Sequence, residues 1–530
     1  MVSRLMVPNN TDPAPVTPRP RRLVYGEARA LGTFAVQWEG APDPRVHAAA
    51  RRLLATLPVG TLELAVETIF EGPPRLGDVE SYTLQRQPQG WRLSAPGTWG
   101  ALHGLNTLYQ LASAGGAYVV RIDDAPRFPW RGLLLDVARH FLPLAALEGV
   151  IDGLALLRMN VLHLHLCDDQ AFRFGSRAWP ELAADDHYTP AGLQALVAYA
   201  ADRGVRIVPE LDVPGHVTSW LRAYPEWGCE EAPESRRFGV HEACLNPADE
   251  QVYAALGDLL TELAAVFPDD YVHIGGDEVH PAWWRRSEAV QALQAREGLA
   301  DVAAVQNYFN GRVVALLGER GKRPVAWDEV LHEAMPPMLV QNWRGATTRD
   351  VARAGGHDCL VSAPYYLDLF FPAEMHYAFD PGAPEAELVA LEDAQQSDFR
   401  LAHVADGIEW TRQWRRQRAG TAALPGRIIG GEACLWSELV DDATLDVRLW
   451  SRLPAVAERF WTPSAECDHE DFQRRLEAFL RLPAIAVADR QHAALTGLGL
   501  STTQVESAQW LEPAKWYSRL LGRAALEARL

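Results

Sequence analysis

Val161–Leu166 (VLHLHL), Val205–Val213 (VRIVPELDV) and Tyr271–Val279 (YVHIGGDEV) are short apolar runs that each close on polar, mostly acidic residues. Five more of the same kind complete a series of eight: GLLLDVA from Gly132, RPVAWDEV from Arg323, MLVQNW from Met338, CLVSAPYY from Cys359 and IIGGEACLW from Ile428. Helix-like stretches lie between most of them, among them LAALEGVIDGLALLRMN from Leu144, TPAGLQALVAYAADRG from Thr189 and DVAAVQNYFNGRVVALLGERG from Asp301. Apolar strands alternating with amphipathic helices belong to parallel sheets, and eight such units predict an α/β fold closed as a (β/α)8 TIM barrel. About seven residues separate the fifth run from the sixth, too few for a helix, so that unit is expected to be degenerate. The 61 residues between Tyr366 and Ile428 predict an excursion over the barrel mouth, with Trp410 and Trp414 as a source of selectivity.

Outward from the barrel, assigned to residues 126–480, the chain changes character. Residues 23–125 carry the alternating run LELAVE (Leu62–Glu67), strand-like SYTLQRQ from Ser81 and GWRLSAP from Gly90, then a helical stretch from Thr98 to Leu111. Strands followed by a helix predict a small N-terminal α/β domain, and the two prolines of DDAPRFPWRG (Asp123–Gly132) mark its boundary. Residues 1–22, rich in proline, are expected to form a flexible lead-in. Residues 481–530 are expected to form a C-terminal helical extension, a docking helix or an oligomer contact, which leaves a homodimer open.

Composition narrows the function. The 530 residues are 48% hydrophobic and 22% charged, which is globular and excludes a disordered or fibrous chain. A formal charge of -19 repels phosphate backbones, so no nucleic acid partner is expected. No apolar run reaches signal-peptide or membrane-span length, so no membrane contact is expected and the compartment is left as cytoplasmic or periplasmic. Six cysteines are too few and too scattered for a disulfide scaffold, although Cys229 and Cys244 bracket a polar loop and leave one pairing open. Eighteen Trp against 14 Tyr and 16 Phe is an excess that needs a cause.

Active sites of such barrels lie at the C-terminal ends of the strands. There the eight runs deliver Arg139 and His140; Asp168 and Asp169; Asp212 and His216; Asp277 and Glu278; Trp327 and Asp328; Trp343; Tyr366 and Asp368; Trp436 and Glu438. Carboxylates among indole platforms suit a carbohydrate, whose apolar faces stack while its hydroxyls hydrogen-bond. The strongest local signal is HIGGDEV (His273–Val279): two glycines allow a tight turn just before two adjacent acids. Neighbouring carboxylates drive one pKa up and leave the other group charged.

HIGGDEV, with RGLLLDVARHF, NVLHLHLCDDQAFR, PELDVPGH and GGEACLW, resembles the family 20 glycoside hydrolases, the β-N-acetylhexosaminidases, in the family's order from about Arg131 to Trp461. SYTL and the GLNTLYQL helix resemble the small domain that commonly precedes that barrel. The resemblance implies exo-acting removal of terminal β-linked N-acetylglucosamine or N-acetylgalactosamine with retention, the substrate's own 2-acetamido oxygen serving as nucleophile. It implies Glu278 as general acid and then base, Asp277 as acceptor from the acetamido N–H, and Tyr366 as donor to the acetamido carbonyl. Arg139 would grip the sugar's O3 and O4, and Asp168 and His216 would form a hydrogen-bonded chain to the acid. Trp327, Trp343 and Trp436 would wall the site, with Asp368 and Glu438 on O4 and O6. Neither metal nor organic cofactor is implied.

Blander readings stand beside these. Arg139 also suits an interior ion pair, His216 a helix cap after Pro-Gly, and each Trp a barrel filler. The His163–His165 pair suits either interior hydrogen bonds or a metal-dependent amidohydrolase barrel, which chelation would reveal. A catalytically idle carbohydrate-binding protein would keep Arg139 and the Trp walls, and would bind sugar without turnover.

Overall fold

The computed structural model describes residues 14–27, 31–114, 118–234, 238–331, 335, 338–369, 371–396 and 424–485. Strands β1 (Arg22–Tyr25), β2 (Ala35–Glu39), β3 (Thr61–Thr68), β4 (Tyr82–Gln87), β5 (Gly90–Gly97) and β6 (Val119–Asp124) form one sheet in the order β1-β6-β4-β5-β3-β2. β2, β3 and β5 run parallel and the other pairs antiparallel. The α/β expectation is refined to a mixed sheet with two helices, α1 (Pro44–Leu54) and α2 (Thr98–Ser113). Asp43 caps α1 by accepting from the Arg45 and Val46 N–H groups. α2 is buried almost throughout, from Thr98 to Leu111, because it packs on the sheet and on the barrel helix Leu144–Leu156.

The eight apolar runs become β7 (Trp130–Asp136), β8 (Val161–His165), β11 (Arg206–Glu210), β12 (Tyr271–His273), β13 (Arg323–Trp327), β14 (Leu339–Asn342), β15 (Asp358–Val361) and β16 (Ile428–Leu435). They close a parallel barrel, β16 pairing with β7 from Gly430↔Trp130 to Leu435↔Leu135. A short parallel pair that the apolar pattern does not predict, β9 (Phe172–Phe174) and β10 (Ala183–Tyr188), intervenes after β8. Helices such as Pro190–Ala201, Glu250–Val266 and Val302–Glu319 cover the outside, so β7, β8 and β11 are buried along their whole lengths. The fifth unit is degenerate as expected: among the described residues one short turn, Asp328–Val330, stands between β13 and β14.

Inward-facing residues alternate along the strands and stack in tiers. An apolar tier at the strands' N-terminal ends includes Trp130, Val161, Val208, Tyr271 and Val325. Above it lies a polar tier of His163, Glu210, His273, Gln341 and Glu432. The mouth tier holds Leu134, Trp327, Trp343, Cys434 and Trp436, with Tyr366 packed against it.

The lead-in expectation needs correction from Ala14 onward, while residues 1–13 lie outside the described residues. Ala14, Val16 and Thr17 are buried, and Thr17 exchanges two hydrogen bonds with the Gln110 side chain of α2 (2.8 and 2.9 Å). Arg475 of the helix His469–Leu480 donates to the Val16 carbonyl at 3.1 Å. An extended, proline-rich segment still offers carbonyls, and buried Gln and Arg side chains satisfy them here. All six cysteines are free thiols, so the pairing left open for Cys229 and Cys244 is not made. Trp410 and Trp414, and residues 486–530 of the C-terminal extension, lie outside the described residues. Among the described residues no helix is long and apolar enough to cross a membrane.

Candidate active site

β12 ends at His273, and the next residues turn sharply at the barrel mouth. Gly275 and Gly276 hold φ of 65° and 90°, and a Cβ on Gly275 would lie 1.7 Å from Asp212 Oδ1. The Gly276 N–H donates to that same oxygen at 3.0 Å, so the turn is built against the end of β11. It presents Asp277, its side chain 13% exposed, and Glu278, 30% exposed.

His216 joins the acids across the mouth. Its Nε2 lies 3.6 Å from Glu278 Oε2 and 3.9 Å from Asp277 Oδ2, while Nδ1 faces Asp168 Oδ1 at 3.3 Å and Asp169 Oδ2 at 3.5 Å. Burial disfavours a charged ring, but the Asp168 carboxylate outweighs it and holds His216 well above the usual histidine range. Asp168 stays well below the ordinary carboxylate range: burial works against its charge, and Arg139 and then His216 overcome that. Arg139 lies 2.6 Å from Asp168 Oδ2 and 3.2 Å from Asp136 Oδ2, with its guanidinium 5.1 Å from the Trp436 ring centroid. The interior ion pair considered for Arg139 is therefore present at the mouth itself.

Asp277 titrates differently. Burial, and then the neighbouring Asp212, drive its carboxyl well above the ordinary value, and Asp212 itself is pushed up to about 7, chiefly by burial. Among the described residues Asp277 Oδ1 has no hydrogen-bond partner. A buried acceptor without a donor costs about 1–3 kcal/mol, which a ligand N–H would relieve.

Trp327 ends β13, and Trp343 and Trp436 follow β14 and β16 by one residue. The three are nearly buried and form one apolar wall with Tyr366, which bridges to Cys434 of β16. Trp327 and Trp436 stand 5.9 Å apart at 42°. Glu438 lies near enough to Arg139 to add to its charge stabilisation, and Asp368 sits half-buried after the Tyr366 turn.

Sequence reasoning passed over Glu329, which burial and then Asp277 push up to about 8. Its signal was legible, because Asp328–Val330 repeats the Asp-Glu-Val of the turn after β12. It also passed over Glu210, whose oxygens meet His165, His273 and the Trp327 N–H. His163, Glu210 and His273 converge within 4.8 Å, the spacing of a cation site. Yet the oxygens of Glu210 are taken by the His165 ring and the Trp327 indole, so this is a hydrogen-bond network. His163 faces Glu432 at 2.9 Å, the interior role considered for it.

Comparison with known proteins turns this geometry into a family. Residues 128–464 match glycosyl hydrolase family 20, catalytic domain. The chain belongs to that family. A β-hexosaminidase subunit β of Entamoeba histolytica is 32% identical over 431 residues, covering 77% of this chain and 74% of the relative. A family 20 chitobiase of Flavobacterium johnsoniae superposes with a TM-score of 0.77 at 31% identity, covering 91% of this chain and 75% of that one. A Streptomyces plicatus β-hexosaminidase solved with its product GlcNAc has a TM-score of 0.66 at 26% identity, covering 89% of this chain and 95% of that one. Family 20 membership sets aside the amidohydrolase alternative.

Proposed function

We infer that the chain is an exo-acting β-N-acetylhexosaminidase that releases terminal β-linked N-acetylglucosamine or N-acetylgalactosamine with retention, and that Asp277 and Glu278 carry the chemistry. One observation supports this above the others: a buried carboxylate oxygen without a hydrogen-bond partner among the described residues stands beside a more exposed acid, at the same barrel mouth as the Trp327, Trp343 and Trp436 cluster. In this reading Glu278 gives its proton to the glycosidic oxygen as that bond breaks. The acetamido carbonyl oxygen attacks the anomeric carbon from the other face and closes an oxazolinium ring. Asp277 accepts from the acetamido N–H, fixing its orientation and balancing the positive charge that develops on the ring. Water then opens the ring, and Glu278 takes the water's proton.

The remaining residues bind and orient. Tyr366 donates to the acetamido carbonyl, and Trp327, Trp343 and Trp436 enclose its methyl group and the sugar face. Arg139, held by Asp136 and Asp168, addresses the O3 and O4 hydroxyls, and Asp368 and Glu438 address O4 and O6. The substrate is a carbohydrate; the sugar beyond the first is selected by loops at the mouth.

Glu278→Gln tests the acid role directly. It is expected to lose about 10²–10⁴-fold in rate on an N-acetylglucosaminide with a poor leaving group, and much less on one with an activated aryl leaving group. Equal losses on both substrates would contradict the assignment.

A further inference from the structure

One buried ring connects the barrel's polar tier to the mouth. His165, at the end of β8, has no exposed side-chain surface; its Nδ1 lies 2.5 Å from Glu210 Oε2 and its Nε2 2.9 Å from Asp168 Oδ2. Both neighbours are carboxylates, and an ionised carboxylate only accepts. Glu210 and Asp168 are both held well below the ordinary carboxylate range, so both contacts are hydrogen bonds with both ring nitrogens protonated, which makes the ring an imidazolium.

The groups around it agree. Glu210 and Asp212 face it from β11 and the loop that follows, Asp168 from the turn after its own strand, and Arg139 from the end of β7. After β16 it meets the uncharged indole of Trp436 at nearly a right angle, their ring centroids 5.1 Å apart. Two carboxylates held ionised, Glu210 and Asp168, thus oppose one guanidinium. Burial works against the cation, but Glu210 and Asp168 outweigh it and hold the ring well above the histidine range.

Asp168 is where this matters. Its Oδ2 takes both His165 and Arg139, while Oδ1 takes the Asp169 N–H at 2.6 Å and faces His216. Among the described residues the ring of His165 is therefore the one support that reaches Asp168 from the barrel interior. His163, two residues earlier on the same strand, faces Glu432 and Glu210 deeper in the barrel, so it serves as an internal comparison.

We propose that His165 is a permanently charged positioning residue: clamped by Glu210, it fixes Asp168 so that Asp168 can aim His216 at Glu278 and Arg139 at the sugar, and its charge offsets one of the carboxylates crowded around the reacting acid. This rests on the assignment of Glu278 made above. That assignment stands or falls on Glu278→Gln with poor leaving groups, whatever His165 does.

The test is a cycle of His165→Gln, Glu210→Gln and the double variant, with His163→Gln alongside, assayed as kcat and KM against pH on an aryl N-acetylglucosaminide. His165→Gln should lower kcat/KM by up to about 10²-fold, the cost of misplacing groups at a reacting centre by about an ångström. It should also move the alkaline limb upward by about one unit, because a cation has left a group of carboxylates. Glu210→Gln should reproduce the loss, and the double variant should be no worse than the more damaged single one. His163→Gln should lower the melting temperature and leave the pH profile in place. Losses that multiply in the double variant, or a His165→Gln profile that matches that of His163→Gln, would overturn the proposal.

Nitrogen NMR of the unaltered, histidine-labelled protein adds a readout that no variant's folding can compromise. Both ring nitrogens of His165 should remain protonated through the whole range in which an ordinary histidine titrates. Titration of that ring between about pH 5 and 7, as for an ordinary histidine, would count against a permanent charge.

Discussion

Glu278 and His216 adopt left-handed backbone, at φ 50° and 55°, and are two of the three non-glycine residues with positive φ among the described residues. Such conformations cost of order 1–3 kcal/mol and persist where surrounding structure over-determines them. Here the strain aims one residue's carboxylate and the other's ring at each other. Beside Glu278, Asp277 has the Asp212 carboxylate next to it, a like charge that disfavours its ionised form. Asp277 must be ionised to balance the positive charge that develops on the oxazolinium ring, and its pKa is raised, first by burial and then by Asp212. Activity therefore falls as pH drops through that raised value. Asp212→Asn keeps an acceptor for the Gly276 N–H but removes the like charge. The acidic limb of kcat/KM is expected to move to lower pH, and an unmoved or raised limb would contradict the coupling. The sequence announced Asp277 and Glu278 through their strand end, yet nothing in it told that Asp277 would be mostly buried and Glu278 more open.

Among elements, the turn after β12 carries the greatest constraint. Gly275→Ala must place a methyl group 1.7 Å from Asp212 Oδ1 while holding φ at 65°. The left-handed backbone alone costs about 1–2 kcal/mol, and relief of the clash must shift either the turn or the end of β11. The expected outcome is a lowered melting temperature together with a kcat loss comparable to that of a catalytic substitution. Preserved kcat with wild-type stability would show that the turn is not built against β11. This element was legible, because paired glycines between a strand end and two acids mark a turn that side chains could not make. β9 and β10 were not: FRF and AADDHY (Ala183–Tyr188) lack the alternation of a strand with one buried face, and only tertiary neighbours pair them.

At the scale of the whole molecule, a buried ionic seam joins the small domain to the barrel. Glu80 meets Arg131 through both carboxylate oxygens (2.5 and 3.0 Å) and His103 at 2.9 Å, while Arg131 and Arg158 lie over the Trp461 ring at 5.0 and 4.7 Å. Burial works against an ionised Glu80, but Arg131 outweighs it and holds the carboxyl near pKa 2. A depressed folded-state pKa stabilises above the unfolded value, and that stability is lost as pH falls toward about 2. The shift from 4.5 to about 2 corresponds to stability on the order of 3 kcal/mol. Glu80→Gln is expected to lower stability at neutral pH and to flatten its decline below about pH 4.5, measured by denaturant unfolding across pH. A parallel decline in both proteins would mean that acid unfolding is governed elsewhere.

The sequence by itself determined the eightfold succession of strands, because burial on both faces demands unbroken apolar runs and the crossovers demand helices between them. It also determined which residues stand at the mouth, since the chain direction of a parallel barrel puts every strand's end on one side. Only the tertiary structure decided which of those residues meet. His216 reaches Glu278 from another strand, Glu210 ties three strands through one carboxylate, and the proline-rich segment from Ala14 wedges between domains. Periodicity is a property of neighbours along the chain. Charge pairing and burial depend on neighbours in space, which here lie tens to hundreds of residues apart.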